Sequence, residues 1–307
     1  LIRSDNVYGT PEEDAFRRDF TVNGLFYDPI ADRIIDFVDG LPDIRSRTLR
    51  TIGDPDIRFQ EDPVRILRAI RFVAKLGFSI EPQTLHFMRV HRERIRLSAP
   101  RRVLDETWKL LLCGASANAV ALARELGVLQ LLAPEIAPSF EDERIHGILM
   151  SLLNSFDSEP PENLHLAPVV LAPILLYGLS ETLWDKLKAP WMQRVECFEE
   201  MTPRLNFLLQ RYGFSKMDRA LVREMLFLVL RLGHPQTPEP VPPRVRAREL
   251  FGPALRLWKW VWMSRGMPDN LVSNAAEMIL ESAPPRKKRP RRRRKPNKTT
   301  AHTEGSP

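Results

Sequence analysis

Asp62-Pro63, followed by Ile66, Leu67, Ile70 and Val73, constrains this chain more than any other stretch. Aspartate before proline is a helix N-cap and a first helical position, because the carboxylate accepts an orphan N–H and proline lacks one. At about 100° per residue the four apolar side chains share one face. A helix of this kind needs a surface to bury that face against. Asp62, Arg65, Arg68 and Arg71 fall on the other side.

A carboxylate only accepts hydrogen bonds and a guanidinium only donates them. Adenine and cytosine each place an amino donor beside a ring-nitrogen acceptor; guanine and uracil reverse the order. Asp62 and Arg65 in one plane would therefore accept A or C and leave G or U with unpaired polar groups. The same spacing also suits a plain N-cap and an ion pair on a solvated face, worth a few tenths of a kcal/mol. Spacing alone does not separate the two.

Around this stretch the pattern changes. Residues 1–58 read as short strands and turns. Gly24–Tyr27 and Arg33–Val38 are predicted strands, with Asp28-Pro29 and Ala31-Asp32 between them, Asp39-Gly40 a further turn and Thr48–Ile52 a short strand. These fragments resemble the edge of a sheet. From residue 61 the period is helical: 82–96, from Pro100 to Gly114, 116–132 with a break at Gly127, 140–156, 164–178, 190–211, 216–232, 244–264 and 268–282. Residues 233–243 hold five prolines and are predicted extended.

Charge is unevenly placed. The net charge is +7, but residues 284–298 carry ten Lys or Arg and no acid, so the rest of the chain is net −3. That segment is too basic and too poor in apolar residues to fold alone and reads as a disordered tail. It reads as a phosphate-binding arm with salt-sensitive RNA affinity, or as a solubilising tail. The arm would comprise Arg286, Lys287, Lys288, Arg289, Arg291, Arg292, Arg293 and Arg294. Cys113 and Cys197 suggest neither disulfide framework nor zinc site, which fits a reducing cytoplasm. No run of 18 apolar residues is present, and no membrane partner is expected. His146 stands alone and reads as structural. Trp258, Trp260 and Trp262 point in several directions from one helix and read as packing residues. There is no P-loop and no dinucleotide-binding glycine pattern.

Several motifs occur in series: Arg17-Arg18-Asp19-Phe20-Thr21-Val22-Asn23-Gly24-Leu25, then Asp36-Phe37-Val38-Asp39-Gly40-Leu41-Pro42-Asp43, then Glu61 to Phe72, then Arg102-Val103-Leu104-Asp105-Glu106 with Lys109-Leu110-Leu111. In order and spacing they resemble class II nucleotidyltransferases, the family of bacterial poly(A) polymerases and CCA-adding tRNA nucleotidyltransferases. The resemblance covers residues 1–135. It implies that Arg18, Asp19 and Asn23 contact the sugar and phosphates of an incoming nucleotide and that Asp62 and Arg65 read its base. Glu61, Arg68 and Arg71 would brace that pair or reach phosphates. Arg102 and Glu106, one turn apart, would form an ion pair stabilising the neck.

The family's chemistry is two-metal phosphoryl transfer, with paired aspartates holding Mg²⁺. No such pair precedes the Arg-Arg-Asp segment here; Asp32 is the one candidate for an extra carboxylate, in a strand turn. The resemblance thus implies Mg²⁺ held by residues outside this chain, no metal site within it, and ATP as substrate. The expectation is a piece of a longer enzyme that alone binds nucleotide weakly and catalyses nothing. The expected fold is mainly α: the C-terminal edge of an α/β nucleotidyltransferase head (1–58), a nucleotide- and RNA-binding helical neck (59–135), a helical RNA-binding body (136–282) and the basic tail (283–307). Asp5-Asn6-Val7-Tyr8-Gly9 and the tail lean towards the poly(A) polymerase branch, adding AMP to RNA 3′ ends. The alternatives are a CCA-adding enzyme acting on tRNA and a non-catalytic RNA-binding protein.

Overall fold

The computed structural model describes residues 9–238 and 240–281. It is mainly helical, as expected. Helix α1 (Pro11–Arg17) starts at a capping box in which Thr10 and Glu13 satisfy each other's backbone N–H groups. Strands β1 (Leu25–Asp28) and β2 (Arg33–Asp36) form an antiparallel hairpin, with Leu25 opposite Asp36. Helix α2 (Gly40–Ser46) follows where only a turn is predicted; Asp39, in the left-handed region, turns the chain into it. Strand β3 is limited to Thr48–Leu49 and pairs in parallel with β4 (Ser79–Ile80), while Thr51 makes a single bridge to Phe20.

Helix α3 (Pro55–Glu61) is a second departure. Asp54 caps it through the Asp56 N–H, with Pro55 in the first turn. Asp62 ends α3, and the next regular helix, α4, spans Arg65–Leu76. Asp62 is therefore not the expected N-cap of α4, which starts after Val64 with no side-chain cap; its Oδ1 instead accepts the Val64 N–H at 3.2 Å in the tight turn between the two helices. Ile66, Leu67, Ala69 and Ile70 are fully buried. Each large side chain contributes about 1.5–3 kcal/mol through burial, far more than any surface ion pair on the opposite face. Gly77, at φ +66°, stops the helix.

Helices α5 (Pro82–His91), α6 (Pro100–Leu111), α7 (Ser116–Glu125) and α8 (Leu129–Leu132) follow, and α4 packs on both α6 and α7. The remaining helices are α9 (Glu143–Ser158), α10 (Ala167–Leu175), α11 (Glu181–Asp185), α12 (Trp191–Arg211), α13 (Lys216–Leu232), α14 (Pro243–Arg246), α15 (Phe251–Ser264) and α16 (Asp269–Leu280). Helix α13 packs against α10, α12 and α15, and α9 against α7, α10 and α15, so one apolar core runs from Phe20 to Ile279. Trp258, Trp260 and Trp262 all lie in this core, and the Trp258 indole donates to Gly233 O at 2.7 Å. The described part of 233–243 is non-helical, as its prolines predict, up to α14 at Pro243.

Several contacts join the α12–α13 turn to α6, among them the Trp108 ring packed edge-on against Phe214. The Trp108 indole donates to Tyr212 O at 3.1 Å. Gly213, at φ +79°, lies so close to Leu104 that a Cβ there would come within 2.4 Å of Leu104 Cδ2. No helix among the described residues is long and apolar enough to cross a membrane.

Candidate nucleotide-binding site

Four segments converge on one open cleft of about 460 Å³. The end of α1 and the stretch after it supply Arg17, Arg18, Asp19 and Asn23. The α3–α4 junction supplies Asp62; α4 supplies Arg65, Arg68 and Phe72; α6 supplies Arg102. Five guanidinium groups face two carboxylates, so the cleft carries a positive field suited to a polyphosphate.

The side chains are held by one another. Asp19 is 6% exposed. Its Oδ1 accepts the Phe20 N–H and the Asn23 amide, both at 3.0 Å, and its Oδ2 takes Arg68 Nε at 2.6 Å. Asp19 thus spends most of its acceptor capacity orienting Arg68 and Asn23. Arg18 donates to Asp14 Oδ2 and to Asn23 O, and its guanidinium lies 4.5 Å from the Phe26 ring centre.

Asp62 and Arg65 stand together at the α3–α4 junction. Arg65 Nε is 3.9 Å from Asp62 Oδ2, so neither spends a short hydrogen bond on the other. Arg65 Nη1 donates to Arg58 O at 2.9 Å and reaches Glu61 Oε2 at 3.4 Å. Burial and the nearby Arg58 pull the Arg65 pKa below the usual arginine value, against the opposing pull of Asp62 and Glu61. The group stays charged at any physiological pH. Asp62 Oδ2 receives Arg102 Nη2 at 2.6 Å. With one bond on each oxygen and about four acceptor positions on a carboxylate, Asp62 keeps capacity for a ligand donor.

The expected Arg102–Glu106 ion pair does not form. Arg102 turns into the cleft and pairs with Asp62, while Glu106 is buried against Lys109 Nζ at 2.7 Å and Arg71 Nη2 at 3.7 Å. Arg102 finds its partner on another element, whereas Glu106 takes Lys109 one turn on in the same helix and faces Arg71 of α4. Arg71 therefore does not line the cleft; it faces Glu106 and lies over the Phe72 ring. Asp32 is in the β1–β2 turn at φ +46°, where its Oδ1 accepts the Tyr27 hydroxyl at 2.7 Å, and it does not line the cleft. Residues 286–294 lie outside the described residues. Arg17, Phe72 and Arg102 are cleft residues that the sequence reading did not assign there. The Arg17-Arg18 doublet and the motif containing Arg102 were visible, but not which way each side chain points. Among the described residues no group of three or more His, Cys, Asp or Glu is placed to hold a metal ion.

Comparison with known proteins places the chain among its relatives. Residues 3–50 match the family described as "Poly A polymerase head domain", and residues 77–140 the family "Probable RNA and SrmB- binding site of polymerase A". Poly(A) polymerase I of Haemophilus influenzae is 38% identical over 237 residues, which cover 76% of this chain and 52% of that protein. This chain belongs to the nucleotidyltransferase family of poly(A) polymerases and CCA-adding enzymes. Within that nucleotidyltransferase family, Poly(A) polymerase I of Escherichia coli O157:H7 is 32% identical over 241 residues, covering 77% of this chain and 52% of that protein. The CCA-adding enzyme of Levilactobacillus brevis is 38% identical over 136 residues, 43% of this chain and 32% of that enzyme. The chain spans about half the length of the poly(A) polymerases it matches. The Bacillus stearothermophilus CCA-adding enzyme in complex with CTP shares the fold at a TM-score of 0.58 and 21% identity, covering 89% of this chain and 60% of that one.

Proposed function

We propose that this chain is the base-selecting and RNA-holding part of a template-independent nucleotidyltransferase that adds AMP from ATP to RNA 3′ ends. One observation carries the base reading: Asp62 and Arg65 stand side by side at an arginine-lined cleft with hydrogen-bonding capacity unspent on each other. Asp62 would accept the adenine amino group while Arg65 donates to the adjacent ring nitrogen. Guanine would set donor against donor at Arg65 and acceptor against acceptor at Asp62, at a cost of about 1–3 kcal/mol for each buried unsatisfied group. Arg17, Arg18 and Arg68 would take the phosphates, with charge-assisted bonds.

Mg²⁺ supplies charge neutralisation at the phosphoryl groups in such chemistry. The residues of the cleft would do the work of recognition: fixing base, sugar and phosphates in one pose. RNA would lie along the segment 77–140, which matches the RNA-binding family.

Cytosine offers the same donor–acceptor order as adenine, so a CCA-adding enzyme is the second reading. The poly(A) polymerase match extends over 76% of the chain against 43% for the CCA-adding enzyme, which favours the first. Titration calorimetry with the four nucleoside triphosphates tests the base reading. ATP and CTP are expected to bind at least about tenfold more tightly than GTP and UTP; equal binding of all four overturns it. Extension assays on the full-length natural protein separate the branches: long A-tails on generic RNA support the first, and C-C-A added only to tRNA supports the second.

A further inference from the structure

Arg58 lies behind the cleft and does not line it, yet both halves of the site hang on it. Its guanidinium is only 16% exposed and faces inward. Nη2 donates to the carbonyls of Arg17 and Arg18 at 2.9 and 2.5 Å, and Nη1 reaches Glu61 Oε2 at 3.1 Å. Its own carbonyl accepts the Asp62 N–H at 3.2 Å and Arg65 Nη1 at 2.9 Å. The side chain of this one residue thus anchors the segment that carries Arg17 and Arg18, and its backbone anchors both Asp62 and Arg65. A planar guanidinium is suited to this, since its donors keep a fixed fork geometry that an ammonium lacks.

We propose that Arg58 is a positioning residue that sets the distance between the phosphate-binding arginines and the base-reading pair, so that a nucleoside triphosphate engages both at once. The inference rests on the function proposed above. Its physical content is linkage. Two weak subsites held at the correct span bind a joined ligand far more tightly than either piece. When the span is left loose, the ligand must pay an ordering cost on binding. Other links tie the two halves together, including Ile52 N–H to Asp19 O and Thr21 N–H to Arg50 O. Those join the segment after α1 to the β3 side, and Asp19 ties it to α4 through Arg68; among the described residues Arg58 bonds both the Arg17–Arg18 backbone and the Asp62–Arg65 pair.

The test uses Arg58→Met, which keeps length and apolar stem and removes the donors, and Arg58→Lys, which restores charge and one bonding point. Three probes are titrated by competition against a fluorescent ATP analogue: ATP, adenosine and inorganic triphosphate. In Arg58→Met, ATP binding is expected to fall at least tenfold while adenosine and inorganic triphosphate each change less than threefold; Arg58→Lys is expected to recover part of the ATP affinity. Unchanged ATP binding overturns the proposal. So does an equal loss for all three probes, which would make Arg58 a general support of the fold, and a circular-dichroism melt identifies that case independently. If the unmodified chain itself shows no preference for ATP over GTP, the base reading fails, and the fault lies there rather than with Arg58.

Discussion

Arg102 Nη2 lies 2.6 Å from Asp62 Oδ2 and so joins α6 to the α3–α4 junction across the mouth of the cleft. The carboxylate is thereby gripped from two sides, by the Arg102 guanidinium on one oxygen and by the Val64 N–H on the other. A group held in this way presents its remaining lone pairs in a fixed plane, which a base-reading acceptor requires.

Asp62→Asn exchanges an acceptor-only group for one that also donates. It loses the ionic contact with Arg102 and can turn an N–H towards a guanine carbonyl. The preference for ATP over GTP is expected to fall about 10–100-fold, from the energy of one or two mispaired polar groups. Competitive binding of the two nucleotides measures it.

Arg102→Met should separate orientation from stability. The Arg102 side chain is 54% exposed, so its pair with Asp62 adds at most about 1 kcal/mol to folding. The melting temperature is expected to stay within about 4 °C of the parent, while the ATP-over-GTP ratio drops several-fold because Asp62 loses one of the two bonds that fix its plane. Thermal melts and the same competition assay, run side by side, check both halves.

Glu106→Gln should behave in the opposite way. Glu106 is buried, and both Arg71 and Lys109 depend on it for charge balance. Removing the charge is expected to cost about 1–3 kcal/mol of stability. Urea unfolding of the two proteins gives the difference.

His234 makes stability depend on pH. Its ring is buried, 4.4 Å from the Trp262 ring centre, and its Nδ1 accepts the Gln236 N–H. Burial, with Lys188 and Arg265 nearby, pushes its pKa down to about 4. The unfolded chain binds this proton near pH 6.5. Between these values the unfolded state therefore holds more protons, and stability rises with pH. The contribution is fully present above about pH 6.5 and is lost as pH falls towards 4, by a total of about 3 kcal/mol. Urea midpoints at pH 7.5 and 5.0, compared between the parent and His234→Phe, should show the larger drop in the parent.

Legibility of this sequence followed the length of its signals. Helix α13 runs over Lys216–Leu232, as its pattern predicts, because Ser215 and Asp218 form a capping box and five turns of period are enough to be read. Helix α3 was not visible, although Asp54-Pro55 carries the same start signal as Asp62-Pro63; its seven residues are too few to show a period. Helix α2 hides behind Asp39-Gly40, which reads as a turn until the left-handed Asp39 is seen to lead into a helix. In the site, Asp62, Arg65, Arg68, Arg18, Asp19 and Asn23 were all legible as candidates and do meet in one cleft. What spacing could not reveal was choice of partner. Glu106 was the apparent mate of Arg102 at one helical turn, but Arg102 reaches across to Asp62, a contact that leaves no local trace, while Glu106 takes Lys109, the other basic residue one turn away on the same helix, and faces Arg71 of α4.

Gly213 sits in the α12–α13 turn, a position where a screen of substitutions would ordinarily be expected to find tolerance. Its φ of +79° and its contact with Leu104 deny it that freedom. A side chain there is strained at this φ and must push aside Leu104, a residue of α6, the helix whose first turn carries Arg102 to the cleft. Variants at this turn should therefore be scored with the nucleotide-binding variants, although the glycine touches no part of the cleft.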